Sequence, residues 1–464
     1  MAHDLKGFIE ELKSLGELID IKEELSTVHE IPGVMRYIDK YAGASVLFNR
    51  VAGYDIPIIG NILGKKRRLA IALGVPESEI IGKYLNSKKK PIKPVVVDTG
   101  PVKEVEILQD VNITKTMPVL THHEKDAGPY FTCAVTMAKD PETGIRGMGI
   151  HRIQVKDKDT IGIFLASPPL SHFLTKAEEK RVPLEIAIVI GIDPITFFTS
   201  VIFAPFGIDK LEIAGGLAGR PVELVKCRTI DLEVPAHAEF VLEGYIIPGE
   251  RQKEGPFGES TGYYLTYNNP VAKIKAITHR KNPIYHALMP FSSEESILLD
   301  FIWELDKMEG LQKSFPFVEK VHLTNMGLVA IVQIKKEREN NGPDILKHLF
   351  SHPFIKLIIV VDDDIDPYDL REVEWAVATR VQPDQDVLIQ SNLPGLMIDP
   401  STPGGEVSPE FFSTLVPKTS KMGIDATKPL WDYERYEKID VPEKVKSKIK
   451  PIIEKYLGTQ TPQN

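Results

Sequence analysis

Apolar positions recur at helical spacing at the start of the chain. Phe8, Leu12 and Leu15 fall on one face of MAHDLKGFIEELKSLG and predict an amphipathic helix. Apolar bursts such as PVVVDTG follow, mixed with Pro, Gly and lysine-rich turns, so residues 1–110 read as a small N-terminal α/β domain. Over residues 111–295 the texture changes to short strand-like runs separated by turn residues: FTCAVTMA, GIHRIQV, LEIAIVIGI, VELVKCRTI and AKIKAITHR. That pattern predicts an antiparallel sheet or barrel. From residue 296 the helical period returns. DILKHLF, the buried strand KLIIVVDDD and the helix YDLREVEWAVATRV alternate as in an α/β domain, read here as residues 296–425. Residues 426–464 are rich in Lys, Pro and Tyr and read as an arm that packs on something else.

Composition narrows the class. A chain of 464 residues exceeds what one core usually serves, which agrees with several domains. The net charge of -9 argues against nucleic acid as a partner. The only cysteines, Cys133 and Cys227, suit a reducing compartment and leave no cysteine-rich zinc site. The first residues carry acids among their apolar positions, unlike a secretory signal. PITFFTSVIFAPFGI is too short to span a bilayer and is interrupted by Pro205 and Gly207. These readings describe a soluble, cytoplasmic protein with no membrane partner.

Several familiar signals fail. GNILGKKRR is one residue short of a phosphate loop and lacks its terminal Ser or Thr. RGMGIHR and AGGLAGR lack the glycine spacing of a dinucleotide fold. Asp362, Asp363, Asp364 and Asp366 read as the end of a buried strand and the cap of the next helix. The pair His122 and His123 has no metal-ligand spacing.

One stretch resists a bland reading. EGPFGESTGYY holds Glu254 and Glu259 five positions apart with Gly-Pro-Phe-Gly between them. Residues five apart diverge in a helix and point to opposite faces of a strand. Pro256 disfavours either element, while Gly255 and Gly258 open backbone angles closed to other residues. A turn of this kind can aim both carboxylates at one spot.

This stretch, together with VPAHAEFVLEGYIIPGE, GMGIHRIQV and SKMGIDATKP, resembles the UbiD family over nearly the whole chain. Its members are reversible decarboxylases that use prenylated FMN. The resemblance implies an N-terminal α/β domain, a central split β-barrel of flavin-reductase type, and a C-terminal α/β domain with a dimerising arm. It implies a homodimer or hexamer, and a flavin prenyltransferase as cofactor supplier. Residues Arg152, Glu254 and Glu259 match the family's catalytic triad. In GIHRIQV, strand alternation would put Ile150, Arg152 and Gln154 on one face, with His151 and Ile153 on the other. Arg152 is then expected to orient the substrate carboxylate through a forked contact, and Glu259 to donate the proton, a role that calls for a raised pKa. Gly149, Ile150, His151, Arg152, Phe203, Ala204 and Pro205 match positions around the flavin.

The family also ties the flavin phosphate to the protein through manganese, with potassium nearby, and its metal-binding glutamate matches Glu212. Here the chain departs from the pattern. Gly147 stands where the family has asparagine, the family histidine falls within residues 168–172 with His172 slightly late, and Lys347 is a weak substitute for a phosphate lysine. Either other groups complete the metal shell or the phosphate site has been rebuilt. The expected substrate is an aromatic, heteroaromatic or α,β-unsaturated carboxylic acid, with His286 and residues 396–398 as pocket liners. A non-catalytic flavin-binding subunit and a plain FMN reductase are the alternatives.

Overall fold

The computed structural model describes residues 3–165, 167–204, 207–402 and 417–457. The first helix, Leu5–Ser14, is capped by the Asp4 side chain, which accepts from the Gly7 N–H. Leu5, Phe8, Ile9 and Leu12 make its buried face. Leu15 was expected on that face, but it falls beyond the last turn and is 48% exposed. The helix leads into a four-stranded sheet of Leu18–Leu25, Ser45–Val51, Ile58–Gly60 and Tyr285–Ala287. The last of these strands comes from far along the chain and pairs in parallel with Ile58–Gly60.

The central sheet has nine strands among the described residues. Its spine is the long hairpin of Phe240–Gly258 with Tyr264–His279. One flank continues through Thr160–Ile163 and Ile153–Val155 to Tyr130–Phe131, the other through Leu184–Ile190 and Val135–Lys139 to Arg146–Ile150. Arg146–Ile150 and Ile153–Val155 are thus near opposite ends of the strand order, yet only His151 and Arg152 separate them along the chain. The sheet must curl until its flanks meet, which makes it a split barrel with these two residues at the seam. The single strand expected over GIHRIQV is therefore two strands with different partners. Alternation does not carry across the break: at the seam the Arg152 carbonyl accepts from the Phe164 N–H at 3.1 Å.

The C-terminal domain is a five-stranded sheet ordered Val318–Thr324, Val329–Ile334, Leu357–Asp362, Lys418–Ala426 and Val387–Pro394. Its inner strands are buried on both faces, as parallel pairing under helices requires. Ile358 and Val360 enter one core with Ala330 and Val332, while Val361 enters the other with Ile331. The helices Asn341–Phe350 and Leu370–Arg380 fall where the sequence predicts them. The aspartate run does end a buried strand, but the next helix is capped by Asp369, outside that run. Beyond the sheet, the helix Glu443–Leu457 carries exposed side chains such as Ile452 and Tyr456. No helix among the described residues is long and apolar enough to cross a membrane.

Candidate active site

How the two glutamates come together is settled by a bulge. The ladder of the long hairpin pairs Glu254 with Tyr267, then Phe257 with Leu265. One strand advances three residues while its partner advances two, so one extra residue is absorbed at Gly255 and Pro256. That extra residue resets the alternation, and Glu254 and Glu259 fall on the same side. The linking stretch is therefore a bulged strand through Gly258, where the sequence had suggested a turn. Gly255 has φ +101°, and a Cβ there would lie 2.6 Å from the Leu265 carbonyl oxygen, so only glycine fits. Glu259 begins the tight turn, with its N–H donating to Tyr263 and its carbonyl accepting from Gly262.

The seam and the bulge face each other. Arg152 Nη2 donates to Glu254 Oε2 at 2.6 Å, and its Nη1 contacts Glu259 Oε1. All three side chains are buried, Glu254 completely. Asn269, two positions beyond Tyr267 on the facing strand, donates from Nδ2 to Glu254 Oε2 at 2.8 Å. The guanidinium carbon lies 4.4 Å from the ring centre of Phe164, 5.0 Å from Phe257 and 5.2 Å from Tyr267. Such faces stabilise a cation that has left water. The fork expected for a substrate carboxylate is thus taken by the two acids, leaving Arg152 Nε without a hydrogen-bond partner. The Tyr267 hydroxyl is likewise unpartnered, and burial pushes its phenol up to about 12.

Further support comes from the chain beyond the turn. Glu259 Oε2 accepts from the Ser260 N–H at 3.3 Å, and the Ser260 hydroxyl donates to Glu295. Glu295 also accepts from the Phe291 N–H at 2.6 Å, and burial lifts its carboxyl to about 6. On the other side, Tyr267 and Ile398 anchor an apolar cluster with Phe164, Leu265, Met326, Leu396 and Met397. Residues 396–398 therefore reach the triad's aromatic wall. His286 does not: it is fully buried against Phe197, with Nε2 3.9 Å from Glu294 Oε1, and burial pushes its imidazole down to about 3. Sequence reasoning missed Asn269, Phe164, Tyr267 and Glu295. Continuing the hairpin register from Glu254 along TGYYLTYNNP would have found Tyr267 and Asn269.

Of the residues matched to the flavin, Gly149, Ile150, His151 and Arg152 lie at the seam. Gly149 and Ile150 end the strand Arg146–Ile150, paired with Thr136 and Val135. His151 is buried, its Nδ1 3.1 Å from the Phe164 carbonyl oxygen, and burial takes the imidazole down to about 4. Phe203 is half exposed with its ring 6.0 Å from that of Trp303, and Ala204 packs on the main core. Pro205 lies outside the described residues. A buried ion triad walled by aromatic rings, with unpartnered polar atoms at its edge, suits a planar heteroaromatic cofactor.

The donors implied for manganese do not fit in the same way. A Cβ on Gly147 would lie 2.7 Å from both Phe173 and Pro169, so no ligand side chain has room there. His172 is exposed on the helix Leu170–Glu179. Glu212 is half-buried in the first turn of the helix Lys210–Ala218, and Lys347 is exposed. Among the described residues no three His, Cys, Asp or Glu side chains converge on one point.

Comparison with known proteins places this geometry. The N-terminal, Rift-related and C-terminal models of 3-octaprenyl-4-hydroxybenzoate carboxy-lyase match residues 9–88, 93–293 and 296–426. Anhydromevalonate phosphate decarboxylase of Methanosarcina mazei is 36% identical over 94% of this chain and 99% of its own length. Phenolic acid decarboxylase of Sedimentibacter hydroxybenzoicus is 34% identical over 92% of each. Among solved structures, the UbiD-class enzyme HmfF from Pelotomaculum thermopropionicum, in complex with FMN, superposes with a TM-score of 0.88 at 39% identity, covering 95% of this chain and 98% of that one. An evolved dimeric form of HmfF in complex with prFMN gives 0.84 at 37% identity, covering 95% and 97%. Matched in this way by all three models, and by relatives along nearly their full length, the chain belongs to the UbiD family of carboxy-lyases.

Proposed function

We propose that this chain catalyses the reversible, non-oxidative decarboxylation of an aromatic, heteroaromatic or α,β-unsaturated carboxylic acid, with prenylated FMN as cofactor. The observation that carries this reading is the buried guanidinium of Arg152 between the carboxyls of Glu254 and Glu259. Loss of CO2 from an sp2 carbon leaves an electron pair that no side chain can hold, and the modified flavin supplies the sink. The chain's own residues do the rest. The rings of Phe164, Phe257 and Tyr267 keep water from the site and provide a flat wall for an unsaturated acid. Arg152 holds the two glutamates in register and presents positive charge to the substrate carboxylate. Two carboxyls share one guanidinium, so the set holds one more acid than it has cations. Glu259, at the start of the tight turn that follows the bulge, is the donor that delivers a proton to the carbon that has lost CO2, and removes it in the reverse direction. Glu254, held by Asn269, keeps Arg152 in place.

Co-expression with a flavin prenyltransferase, mass spectrometry of the bound cofactor and CO2 release from a panel of unsaturated acids test the reading together. Prenylated flavin with turnover supports it. Bound flavin without turnover on any acid points instead to a non-catalytic subunit, and ordinary FMN with nicotinamide oxidation to a reductase. The Glu259→Gln variant is expected to lose exchange of the product's ring or vinylic proton with solvent. Exchange at the normal rate would remove Glu259 from the donor role. A homodimeric or hexameric assembly in the cytoplasm accompanies this reading, and light scattering of the purified protein measures its size.

A further inference from the structure

The family's metal donors fail to converge, yet a flavin mononucleotide carries a phosphate dianion that something must neutralise. A cation site built from protein oxygen and nitrogen ligands needs several of them around one point. Gly147 is closed by Phe173 and Pro169, and His172 is exposed. Glu212 shares a helix face with Gly216, four residues on, and a Cβ on Gly216 would lie 2.8 Å from the Lys90 carbonyl oxygen and 3.0 Å from that of Ser87. The Glu212 carbonyl itself accepts from the Ile92 N–H at 2.9 Å. That face is turned toward residues 87–92.

Lys210 stands two residues earlier, about 200° around the helix from Glu212. Its Nζ donates to the Ser200 carbonyl oxygen at 2.8 Å, at the end of the helix Pro194–Ser200. Other enclosed lysines find carboxylates: Lys103 meets Glu243, Lys336 meets Glu339 and Lys428 meets Asp364. Among the described residues no carboxylate lies within 4.0 Å of Lys210 Nζ. Lys421 shares that trait, but it sits in the C-terminal sheet on the His352 carbonyl. The charge of Lys210 is felt by His151, which adjoins Arg152 at the seam, and Lys210 in turn feels Asp306, a carboxylate already paired with Lys88. An ammonium has three donors, and among the described residues Ser200 takes one, which leaves two for an anion. Lysine serves phosphate as a point charge without demanding a second ligand.

We propose that Lys210 anchors the flavin phosphate directly, in place of a divalent cation, so that this chain binds FMN without a metal. The inference rests on the reading that the chain is a flavin enzyme, and the test separates the two. Apoprotein is titrated with FMN and with riboflavin, which lacks the phosphate, in EDTA and in added manganese. The expected result is FMN affinity unchanged between EDTA and manganese. Lys210→Met then weakens FMN about tenfold or more, as loss of a charged contact to phosphate does, with riboflavin affinity unchanged. Lys210→Arg, which keeps the charge, retains the preference for FMN over riboflavin, and it serves alone if the Met variant does not fold. A fall in wild-type FMN affinity on adding EDTA overturns the proposal. So does equal weakening of both flavins in Lys210→Met, or loss of the FMN preference in a folded Lys210→Arg. If neither flavin binds the wild-type protein, the flavin reading fails and the anchor with it.

Discussion

Two arginine–carboxylate sets in this molecule contain nearly the same parts but balance their charges differently. At the barrel seam, Arg152 meets Glu254 and Glu259. In the C-terminal sheet, Arg380 meets Asp362 at 3.0 Å and forks onto Asp364 at 3.0 and 2.9 Å. Lys428 then adds its Nζ to Asp364 and its backbone N–H to Asp362. The second set pairs two cations with two anions, and every charge is answered within it. The first sets one cation against two acids. Removing one partner from a balanced buried set leaves a charge uncompensated and is costly, whereas the seam already holds one acid more than its guanidinium answers. The environments of the second set also diverge. Burial lifts Asp362 to about 6, opposed by the Lys428 N–H and Arg380. Asp364 is lifted by burial as well, but Arg380 and Lys428 outweigh this and its carboxyl lies below the ordinary value.

The comparison can be broken at several points. The largest effect is expected for Arg152→Met, which should lower turnover by about 10³-fold while the protein still folds, measured as CO2 release per bound cofactor. Wild-type turnover in that variant would make the seam as structural as the aspartate set. Arg380→Met should do the reverse. Stripping the guanidinium from the buried Asp362 and the half-buried Asp364 is expected to cost about 3 kcal/mol in denaturant unfolding of the apoprotein, with flavin affinity unaltered in the folded fraction. The pH dependence comes next. The folded-state pKa of Asp362 is raised, so its contribution to stability is complete below about 4 and lost as pH rises through about 6. Denaturant midpoints across that window should fall less in Asp362→Asn than in wild type, and equal slopes would take Asp362 out of the account. Gly255→Ala tests the bulge. Its left-handed backbone and the nearby Leu265 carbonyl should make the change cost about 1–3 kcal/mol, with turnover falling as the two glutamates lose their shared side. The smallest effect is expected for Asn269→Ala, which leaves Glu254 one hydrogen bond poorer and should slow turnover by about tenfold or less.

What the chain's pattern determined by itself was local and periodic. The first helix, the strand Leu357–Asp362 with its alternating cores, and the helix Leu370–Arg380 follow from apolar spacing, because burial of one face repeats with the period of the element. The motif EGPFGESTGYY marked Glu254 and Glu259 as unusual, and the family resemblance added Arg152. Only the tertiary structure decided how they meet. A register slip of one residue between the two strands of the long hairpin turned two opposed side chains to one side, and the curl of the sheet broke GIHRIQV at the arginine. Gly255 marks where the bulge can form, but neither outcome can be read locally, since both depend on which strand lies alongside. The same reason hid Asn269, Phe164 and Glu295, whose roles come from partners more than ten residues away.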